Sequence, residues 1–333
     1  MTNAVPVIDL SQYFVGDQQA RAAVASGIAD ACEHCIGFFK VVGHGVQQTV
    51  VDDAFATAHT FFAQPASVKD RFRPARSASA RGYHALATKN LAKTLGYDNP
   101  ADLREQFYIG PLVSRAPEFA HIPAAAELYA DNIWPHTPAN YRSVFTTYYE
   151  ALESLGHSLM RIFALSLSMP ETFFDDKIDR HFSTLPANHY PEPKADPLPN
   201  QVRAGEHTDF GSLTILAISD AAGGLQVKLR DGTWLDVTAE RGQFIVNIGD
   251  MMQRWTNDRW LSNLHRVVNP AVEQRSGSRR MSIGYFLHPN YDAEIACLPT
   301  CSGPGNPARY EPVRAGDLMR KKLEARAAKM KPN

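Results

Sequence analysis

The sequence has little cysteine, no excess of charge of either sign and no long apolar run. Four cysteines in 333 residues are too few to build a disulfide scaffold. Lysine and arginine number 34 against 35 acidic residues, so the net charge of −1 gives no general attraction to nucleic acid or to an anionic membrane. No stretch approaches the roughly 18–20 apolar residues of a membrane span. The composition therefore predicts a soluble globular protein without nucleic-acid or membrane partners.

Cys32 and Cys35 form a C-x-x-C pair, a pattern found both in zinc sites and in redox motifs. Apolar residues recur at helical spacing from Ala20 to Cys35, so both thiols fall on the apolar stripe of a predicted helix. A zinc site needs two more ligands, and the only candidates, Cys297 and Cys301, lie in a proline-rich loop. We therefore expect all four cysteines to be structural.

The amino terminus, Met1–Leu10, has no basic stretch followed by an apolar one. We therefore expect no signal peptide, and with so few cysteines the sequence favours the reducing cytoplasm. The length allows one large domain or two ordinary ones.

The first half of the chain reads as mixed α/β. The patterns predict strands over Val5–Leu10 and Gly37–Val42, helices over Asp17–Cys35 and Gln47–Ala63, an irregular stretch over Arg76–Pro111, and a long amphipathic helix over Ala139–Met169. The last of these is the strongest helical signal in the chain, and we expect it to be a scaffold helix packed on a sheet.

From about His181 short β-rich runs alternate with turns. The predicted strands are Ser212–Ile218, Leu225–Leu229, Trp234–Val237, Gln243–Ile248, His265–Val268 and Arg280–His288. Many short strands at this spacing predict a sandwich or a barrel. A charged helix over Arg314–Lys329 is expected to cover one end.

His207-Thr208-Asp209, followed far downstream by His265, is the most informative feature. In a strand, residues two apart point to the same face, so His207 and Asp209 would lie side by side. Two histidines and one carboxylate on one face of a metal leave other positions open, as in non-haem Fe(II) oxygenases. An H-x-D alone is common by chance in a chain with twelve histidines.

Arg280–His288 adds a second constellation. Its alternate residues Arg280, Ser282, Gly284, Phe286 and His288 share one face, and the opposite face is apolar. A buried arginine needs an anionic partner. A bidentate carboxylate ligand would satisfy it, and so would a protein carboxylate, and this pattern alone does not separate the two.

A third group of candidate site residues, Asn188-His189-Tyr190, lies at the start of the β-rich half. Asn188 and Tyr190 share a face and could bind the same anion or its neighbour. His189 would point away from them and is not chosen as a ligand.

With these residues in place, the sequence resembles the isopenicillin N synthase-like family of 2-oxoglutarate and Fe(II)-dependent dioxygenases. The likeness covers nearly the whole chain. The segments that carry it are Val7–Leu10, Gly37–Phe39, His44–Val46, His207–Thr214, Gly223–Val227, Asn247–Met251, Trp255–Asn257 and Ser262–Val267.

The resemblance implies a mainly β fold with flanking helices: a double-stranded β-helix (jelly-roll) core with the long scaffold helix packed outside. It implies a single dioxygenase domain over residues 1–333. Within it, residues 1–180 would form an amino-terminal α/β region with the scaffold helix, 181–290 the jelly-roll core with the metal site, and 291–333 a carboxyl-terminal loop and helix.

The resemblance also implies the cofactors and their ligands. Fe(II) would be held by His207, Asp209 and His265. The far carboxylate of 2-oxoglutarate would be held by Arg280 and Ser282, with Tyr190 as a helper and Asn188 near the iron-bound end. Arg279 adjoins Arg280 after a connection longer than in plant members, and the R-x-S spacing favours Arg280.

The implied reaction hydroxylates a small organic molecule with O2 and releases succinate and CO2, with ascorbate allowed as a reductant. Some relatives desaturate or cyclise instead. The candidates for substrate contact are Phe286, His288, Tyr83, Arg104, Phe107 and Tyr108. Of these, Phe107 and Tyr108 could equally be core residues, and Arg104 could pair with Glu105 or Asp102.

Two alternatives remain open at this level. One is an iron oxidase of the same family that does not use 2-oxoglutarate, of the isopenicillin N synthase or aminocyclopropane-carboxylate oxidase type. The other is a non-catalytic jelly-roll binding protein, which the complete H-x-D…H set disfavours. The sequence does not name the prime substrate, and a monomer is the default expectation for the oligomeric state.

Overall fold

The computed structural model describes residues 5–34, 36–76, 79–97 and 99–329. Its helices are α1 (Ser11–Val15), α2 (Gln18–Glu33), α3 (Gln48–Phe62), α4 (Ala66–Lys69), α5 (Tyr141–Ser166), α6 (Asp175–Ile178), α7 (Asp250–Trp255) and α8 (Ala315–Lys329). Its strands are β1 (Val7–Asp9), β2 (Phe38–Val42), β3 (Gly82–His84), β4 (Glu105–Ile109), β5 (Leu185–Tyr190), β6 (Ala204–His207), β7 (Leu213–Ile218), β8 (Leu225–Lys228), β9 (Trp234–Val237), β10 (Phe244–Ile248), β11 (His265–Val267), β12 (Arg280–Leu287), β13 (Glu294–Ile295) and β14 (Val313–Arg314).

Two sheets form the core of the molecule. The larger has the strand order β1-β2-β10-β7-β12-β5-β4-β3, and the smaller has the order β6-β11-β8-β9. Apolar side chains of both sheets meet in one buried cluster, which includes Phe38, Ile245, Val227 and Val267. Two facing sheets with helices around them form the jelly roll that the sequence predicted.

Helix α5 packs on the outer face of the larger sheet. The apolar face of β12, with Met281, Ile283, Tyr285 and Leu287, is fully buried there. A β-carbon on Gly156 of α5 would lie only 2.8 Å from Leu287 Cδ1, so the helix and the strand are in direct contact. This confirms the scaffold helix, and it leaves the other face of β12 for the space between the sheets.

The prediction that Arg76–Pro111 is irregular throughout is wrong. It contains β3 and β4, which pair with each other and extend the larger sheet at β5. Strand β4 is buried on nearly all its residues although it begins with Glu105 and Gln106. Its polar residues form hydrogen bonds with residues from other segments and are therefore buried like the apolar ones. The strand consequently lacks the alternation of apolar and polar residues by which a strand is predicted from sequence. The short helix α7 was also not predicted.

Among the described residues, no helix is both long enough and apolar enough to cross a membrane. Helix α8 follows the β13–β14 hairpin and begins next to Tyr291, whose ring lies where a β-carbon on Gly316 would stand. Cys32 is buried on α2, as its helical spacing predicted, while Cys35 lies outside the described residues.

Candidate active site

Two neighbouring strands of the smaller sheet bring the predicted metal ligands together. His207 ends β6, His265 begins β11, and the two are direct partners in the antiparallel register. Asp209 lies two residues beyond the end of β6, in a loop and not in a strand as predicted, yet its carboxylate faces both rings. Its Oδ1 is 3.9 Å from His207 Nε2 and 3.7 Å from His265 Nε2. These atoms are too far apart to bond one another and face a common space.

Hydrogen bonds fix the orientation of both imidazoles. His207 Nδ1 is 2.8 Å from the Gly205 carbonyl, and His265 Nδ1 is 3.1 Å from the Asn263 carbonyl. A carbonyl can only accept, so each Nδ1 carries the proton and donates it. In the neutral imidazole Nε2 then carries no proton and faces the common space, which is the tautomer that a metal requires.

Asp209 is oriented in the same way. Its Oδ2 accepts hydrogen bonds from Thr214 Oγ1 at 2.6 Å and from Asn247 Nδ2 at 2.8 Å. The other oxygen, Oδ1, remains directed toward the two histidines. Within the described residues, these three side chains are the one group of histidine, cysteine and carboxylate whose atoms lie close enough to share a metal ion. Two imidazoles and one carboxylate are the donor set of non-haem iron.

The register of β12 with β5 gathers the residues predicted to hold 2-oxoglutarate. Arg280 lies opposite Tyr190, and Ser282 lies opposite Asn188. The Arg280 guanidinium is 5.2 Å from the centre of the Tyr190 ring, and Asn188 Nδ2 is 3.4 Å from Ser282 Oγ. Arg279 is exposed while Arg280 is 2% exposed, which agrees with the choice made from the R-x-S spacing.

The charge of Arg280 is poorly compensated. Burial lowers the pKa of Arg280, and its Nη1 has no hydrogen-bond partner within the described ranges. A second buried arginine, Arg203, lies nearby and was not predicted. Burial, and then the positive charge of Arg280, lower the pKa of Arg203 to about 10. Two buried cations with an unused donor form a site suited to an anionic group such as a carboxylate.

A cavity of about 170 Å³ opens beside the predicted metal ligands. His207 and Asp209 form part of its wall, and Asn188 connects it to the Arg280 site. The other lining residues are Ala80, Arg81, Lys89, Leu91, Arg104, Gln106, Tyr108, Glu127, Leu128, Phe182, Thr184, Thr208, Phe210, Phe286, His288, Met319 and Leu323.

Four of the six predicted substrate contacts line this cavity: Arg104, Tyr108, Phe286 and His288. The other two predictions, Tyr83 and Phe107, are corrected. Phe107 points from β4 to the helical side, where its ring packs against Phe61 and Tyr141. Tyr83 is also in the core, and its hydroxyl donates to Glu105 at 2.5 Å. Phe107 does not reach the cavity because residues 105, 107 and 109 of β4 face away from it. Tyr83 pairs with Phe107 from β3, so its side chain lies on the same side of the sheet.

His189 likewise faces away from the cavity, as expected from its neighbours. Its Nδ1 is 2.8 Å from Glu105 Oε1, and its ring stacks on Phe62. Glu105 also accepts from Lys69 Nζ at 2.7 Å. This buried network supports β4 and β5 from behind the site.

His288 is neutral in the wall of the cavity. Its ring stacks on Phe182 with centroids 5.0 Å apart and planes 16° apart. Burial, reinforced by the charge of nearby His181, lowers the pKa of His288 to about 3. A neutral imidazole offers one N–H donor and carries no charge into the cavity.

Several lining residues were not predicted. Gln106 lies on the cavity face of β4, between Tyr108 and Arg104, the residue just before the strand. Recognising that strand would have revealed it. Met319 and Leu323 come from α8, far along the chain. Their spacing of four residues places both on one helical face, but no local signal tells which part of the molecule that face covers.

Comparisons with known proteins agree with this geometry. Residues 5–137 match the family model of the non-haem dioxygenase in morphine synthesis N-terminal region, and residues 182–289 match that of the 2OG-Fe(II) oxygenase superfamily. The chain belongs to the 2OG-Fe(II) oxygenase superfamily and is an Fe(II)- and 2-oxoglutarate-dependent dioxygenase.

The similarity to individual relatives extends over almost the whole chain. The 2-oxoglutarate-Fe(II) type oxidoreductase hxnY of Emericella nidulans is 32% identical over 95% of this chain and 88% of its own length. Validamycin A dioxygenase of Streptomyces hygroscopicus subsp. limoneus is 28% identical over 97% of this chain and 86% of its own. A full-length Neurospora crassa protein, solved in complex with alpha-KG, superimposes with a TM-score of 0.83 at 29% identity, covering 96% of each chain. The same protein has been solved with alpha-KG and thymine.

Proposed function

We propose that His207, Asp209 and His265 hold Fe(II), and that Arg280 and Ser282 bind the far carboxylate of 2-oxoglutarate. Tyr190 supports the arginine, and Asn188 lies toward the iron-bound end of the co-substrate. When bound, the iron and 2-oxoglutarate supply the oxidising power for O2 chemistry on a C–H bond. The product is a hydroxylated, desaturated or cyclised small molecule, with succinate and CO2 as the other products.

The unused donor of Arg280 supports this assignment most strongly. An arginine that is 2% exposed and has an unpartnered Nη1 is costly to bury. Among the described residues it makes no ion pair with a carboxylate, so a structural ion pair does not account for it. A carboxylate of the co-substrate would compensate the charge, and Ser282 beside it adds a hydroxyl.

The protein's own residues also prepare the metal site. The carbonyls of Gly205 and Asn263 set the histidine tautomers, while Thr214 and Asn247 fix the carboxylate. The ligands are therefore preorganised for the metal, and aromatic and aliphatic side chains around the cavity limit its access to water.

Release of CO2 from labelled 2-oxoglutarate with Fe(II) and O2 tests the proposal. We expect slow release without a prime substrate, and faster release with a substrate. His207→Ala is expected to abolish both metal binding and CO2 release, with the far-UV circular dichroism unchanged. Full activity of His207→Ala, or no turnover over a broad substrate panel, would refute the assignment.

We further propose that residues 1–333 form one dioxygenase domain, in which 1–180, 181–290 and 291–333 are the amino-terminal region, the jelly-roll core and the carboxyl-terminal cover. The support is that β1 to β4 join the same sheet as β5, β7, β10 and β12. Limited proteolysis should leave the chain as one stable folded unit. Cleavage into two stable folded halves would contradict this division.

The proposed setting is a monomer in the cytoplasm that acts on a small molecule, without nucleic-acid or membrane partners and with ascorbate as an accessory reductant. The near-zero net charge and the free thiols of Cys297 and Cys301 support it. Light scattering after size-exclusion chromatography should give a single chain mass, and a dimer mass would correct the oligomeric state.

A further inference from the structure

The cavity wall contains a donor and an acceptor side by side, outside the proposed iron ligands. Arg104, which immediately precedes β4, and Gln106 in β4 are two residues apart and both reach toward Asn188 Oδ1. Gln106 Nε2 donates to it at 2.6 Å, and Arg104 Nη1 is 3.5 Å from it. The head groups of the two side chains therefore lie next to each other at the cavity.

Both head groups keep unused hydrogen-bonding capacity. Arg104 Nε has no partner within the described part of the chain. Gln106 Nε2 is directed at Asn188, which leaves Oε1 as an acceptor, and none of the described residues donates to it. An N–H donor beside a C=O acceptor is complementary to an amide edge, in which a carbonyl accepts and the adjacent N–H donates.

The charge of this pair is already balanced. Arg104 Nη2 is 3.3 Å from Asp102 Oδ2, and both side chains are buried. A buried arginine paired with one carboxylate needs hydrogen-bond acceptors from a ligand but no second negative charge. His288, on another wall, is neutral as well. Of the other charged residues in the wall, Lys89 and Glu127 carry one charge of each sign, and the Arg81 guanidinium donates to three backbone carbonyls. The wall formed by Arg104 and Gln106 thus suits an uncharged ligand.

The shape of the cavity favours a flat ligand. Phe286 is the residue of β12 that is not fully buried, and it lines the cavity. It lies opposite Thr214, the residue that holds Asp209, so its ring is close to the proposed iron ligands. Phe182 and Phe210 add further aromatic surface to a space of about 170 Å³. A ring stacked on Phe286 would use this surface.

We propose that the prime substrate is a small, uncharged, planar ring with an amide-like edge, a ring N–H beside a carbonyl as in a lactam or a cyclic ureide. Its ring lies against Phe286, and its amide edge pairs with Arg104 and Gln106. This inference rests on the proposed function, because that function places the oxidation chemistry beside Phe286.

Binding to the anaerobic full-length protein loaded with Fe(II) and 2-oxoglutarate tests the inference, because no turnover occurs without O2. The probes are uracil and 2-pyridone, measured by isothermal titration calorimetry. Their controls are 1,3-dimethyluracil and N-methyl-2-pyridone, which lack the N–H, dihydrouracil, which is not planar, and orotate, which is charged. At least one planar N–H probe should bind tenfold or more tightly than its own controls.

A variant of Gln106 tests whether that selectivity comes from the Arg104–Gln106 pair. Gln106→Leu should remove the preference for the N–H form while 2-oxoglutarate still binds. Gln226→Leu on β8, whose amide pairs with Asp236 outside the cavity, is the matched control and should leave the preference unchanged. The comparison among probes in the unaltered protein stands even if the Gln106 variant fails to fold.

The outcomes separate this inference from the proposed function. Tighter binding of orotate, equal binding of the N-methylated forms, or no binding of any probe while Fe(II) and 2-oxoglutarate bind would each overturn the substrate class alone. Failure to bind Fe(II) and 2-oxoglutarate would overturn the proposed function itself.

Discussion

At the scale of single residues, the proposed metal site depends on side chains that are not themselves among the proposed ligands. Thr214 and Asn247 together saturate one oxygen of Asp209, and two backbone carbonyls orient the histidines. The H-x-D spacing predicts the ligands, but these supporting contacts come from strands β7 and β10. Loss of such a partner typically lowers metal affinity or activity by about 10- to 100-fold.

Thr214→Val tests this support, because it removes the hydroxyl that donates to Asp209 and keeps the side-chain shape. We expect the affinity for Fe(II) to fall by about 10- to 100-fold. Anaerobic metal titration measures the effect. Thr60→Val on α3, where the hydroxyl bonds only to a backbone carbonyl of its own helix, is the control and should bind metal normally. Unchanged affinity in Thr214→Val would show that the hydrogen bond is dispensable.

Arg280→Met tests the co-substrate site through two opposite effects. Loss of the guanidinium should weaken 2-oxoglutarate binding by roughly 2–4 kcal/mol, or about 30- to 1,000-fold in Kd. The ligand-free protein should not lose stability, because an uncompensated buried charge has been replaced by an apolar side chain. Calorimetry and thermal unfolding measure the two. Normal 2-oxoglutarate affinity combined with a large loss of stability would instead identify a structural arginine.

The buried neutral His288 makes a prediction about acid stability. Its pKa of about 3 lies below the ordinary value of 6.5, so between these pH values the unfolded chain binds a proton that the folded protein does not. The free energy of unfolding therefore falls as the pH drops below 6.5. His288→Asn removes this contribution and should reduce the loss of stability between pH 7 and pH 5 by about 2 kcal/mol. Chemical denaturation at both pH values measures it, and equal slopes for the two proteins would disprove it.

At the scale of elements, α8 contacts the loop that carries Asp209, one of the proposed metal ligands. Lys322 forms an ion pair with Asp250, and its ammonium group is 4.8 Å from the centre of the Phe210 ring. The backbone N–H of Asp250 donates to the Asp209 carbonyl at 2.8 Å. The sequence predicted the helix and a covering role, but assigned its charges to a solvated face. The fold instead uses one lysine as a contact to the site.

Lys322→Met should loosen α8 over the cavity. Because a partly exposed ion pair contributes up to about 1 kcal/mol, we expect amide hydrogen exchange in α8 to accelerate by about three- to fivefold. Lys321→Met, which changes an exposed neighbour on the same helix, is the control. Exchange as slow in Lys322→Met as in the control would show that apolar packing alone holds the helix.

The elements also show why prediction from sequence succeeded unevenly. Strands with one apolar face, such as β12, and the long helix α5 were found because their periodicity records which face is buried. Strand β4 was missed because it is buried on both faces and its polar residues find distant partners, such as Lys69 for Glu105. The assignment of Phe107 as a substrate contact failed for the same reason, since its direction depends on the strand that was missed.

At the scale of the whole molecule, the metal should stabilise the fold by itself, whereas the co-substrate should stabilise it only after the metal has bound. Fe(II) at about 100 times its Kd adds about 2.7 kcal/mol to the free energy of unfolding. We expect 2-oxoglutarate to raise Tm further only when metal is present, since the family binds it through the iron. Anaerobic thermal unfolding with and without a chelator measures this. The same rise in Tm in His207→Ala would place the metal elsewhere.

The sequence by itself predicted the H-x-D…H ligands, the scaffold helix and a β-rich sandwich or barrel, because each is a local spacing or a periodic pattern. The family resemblance added the jelly-roll class and the role of the R-x-S pair. Only the tertiary structure decided what surrounds them. It placed Gln106 beside Arg104 at the cavity, brought Met319 and Leu323 over it, and turned Tyr83 and Phe107 away from it. These outcomes depend on contacts between segments far apart in the chain, and no local pattern encodes such contacts.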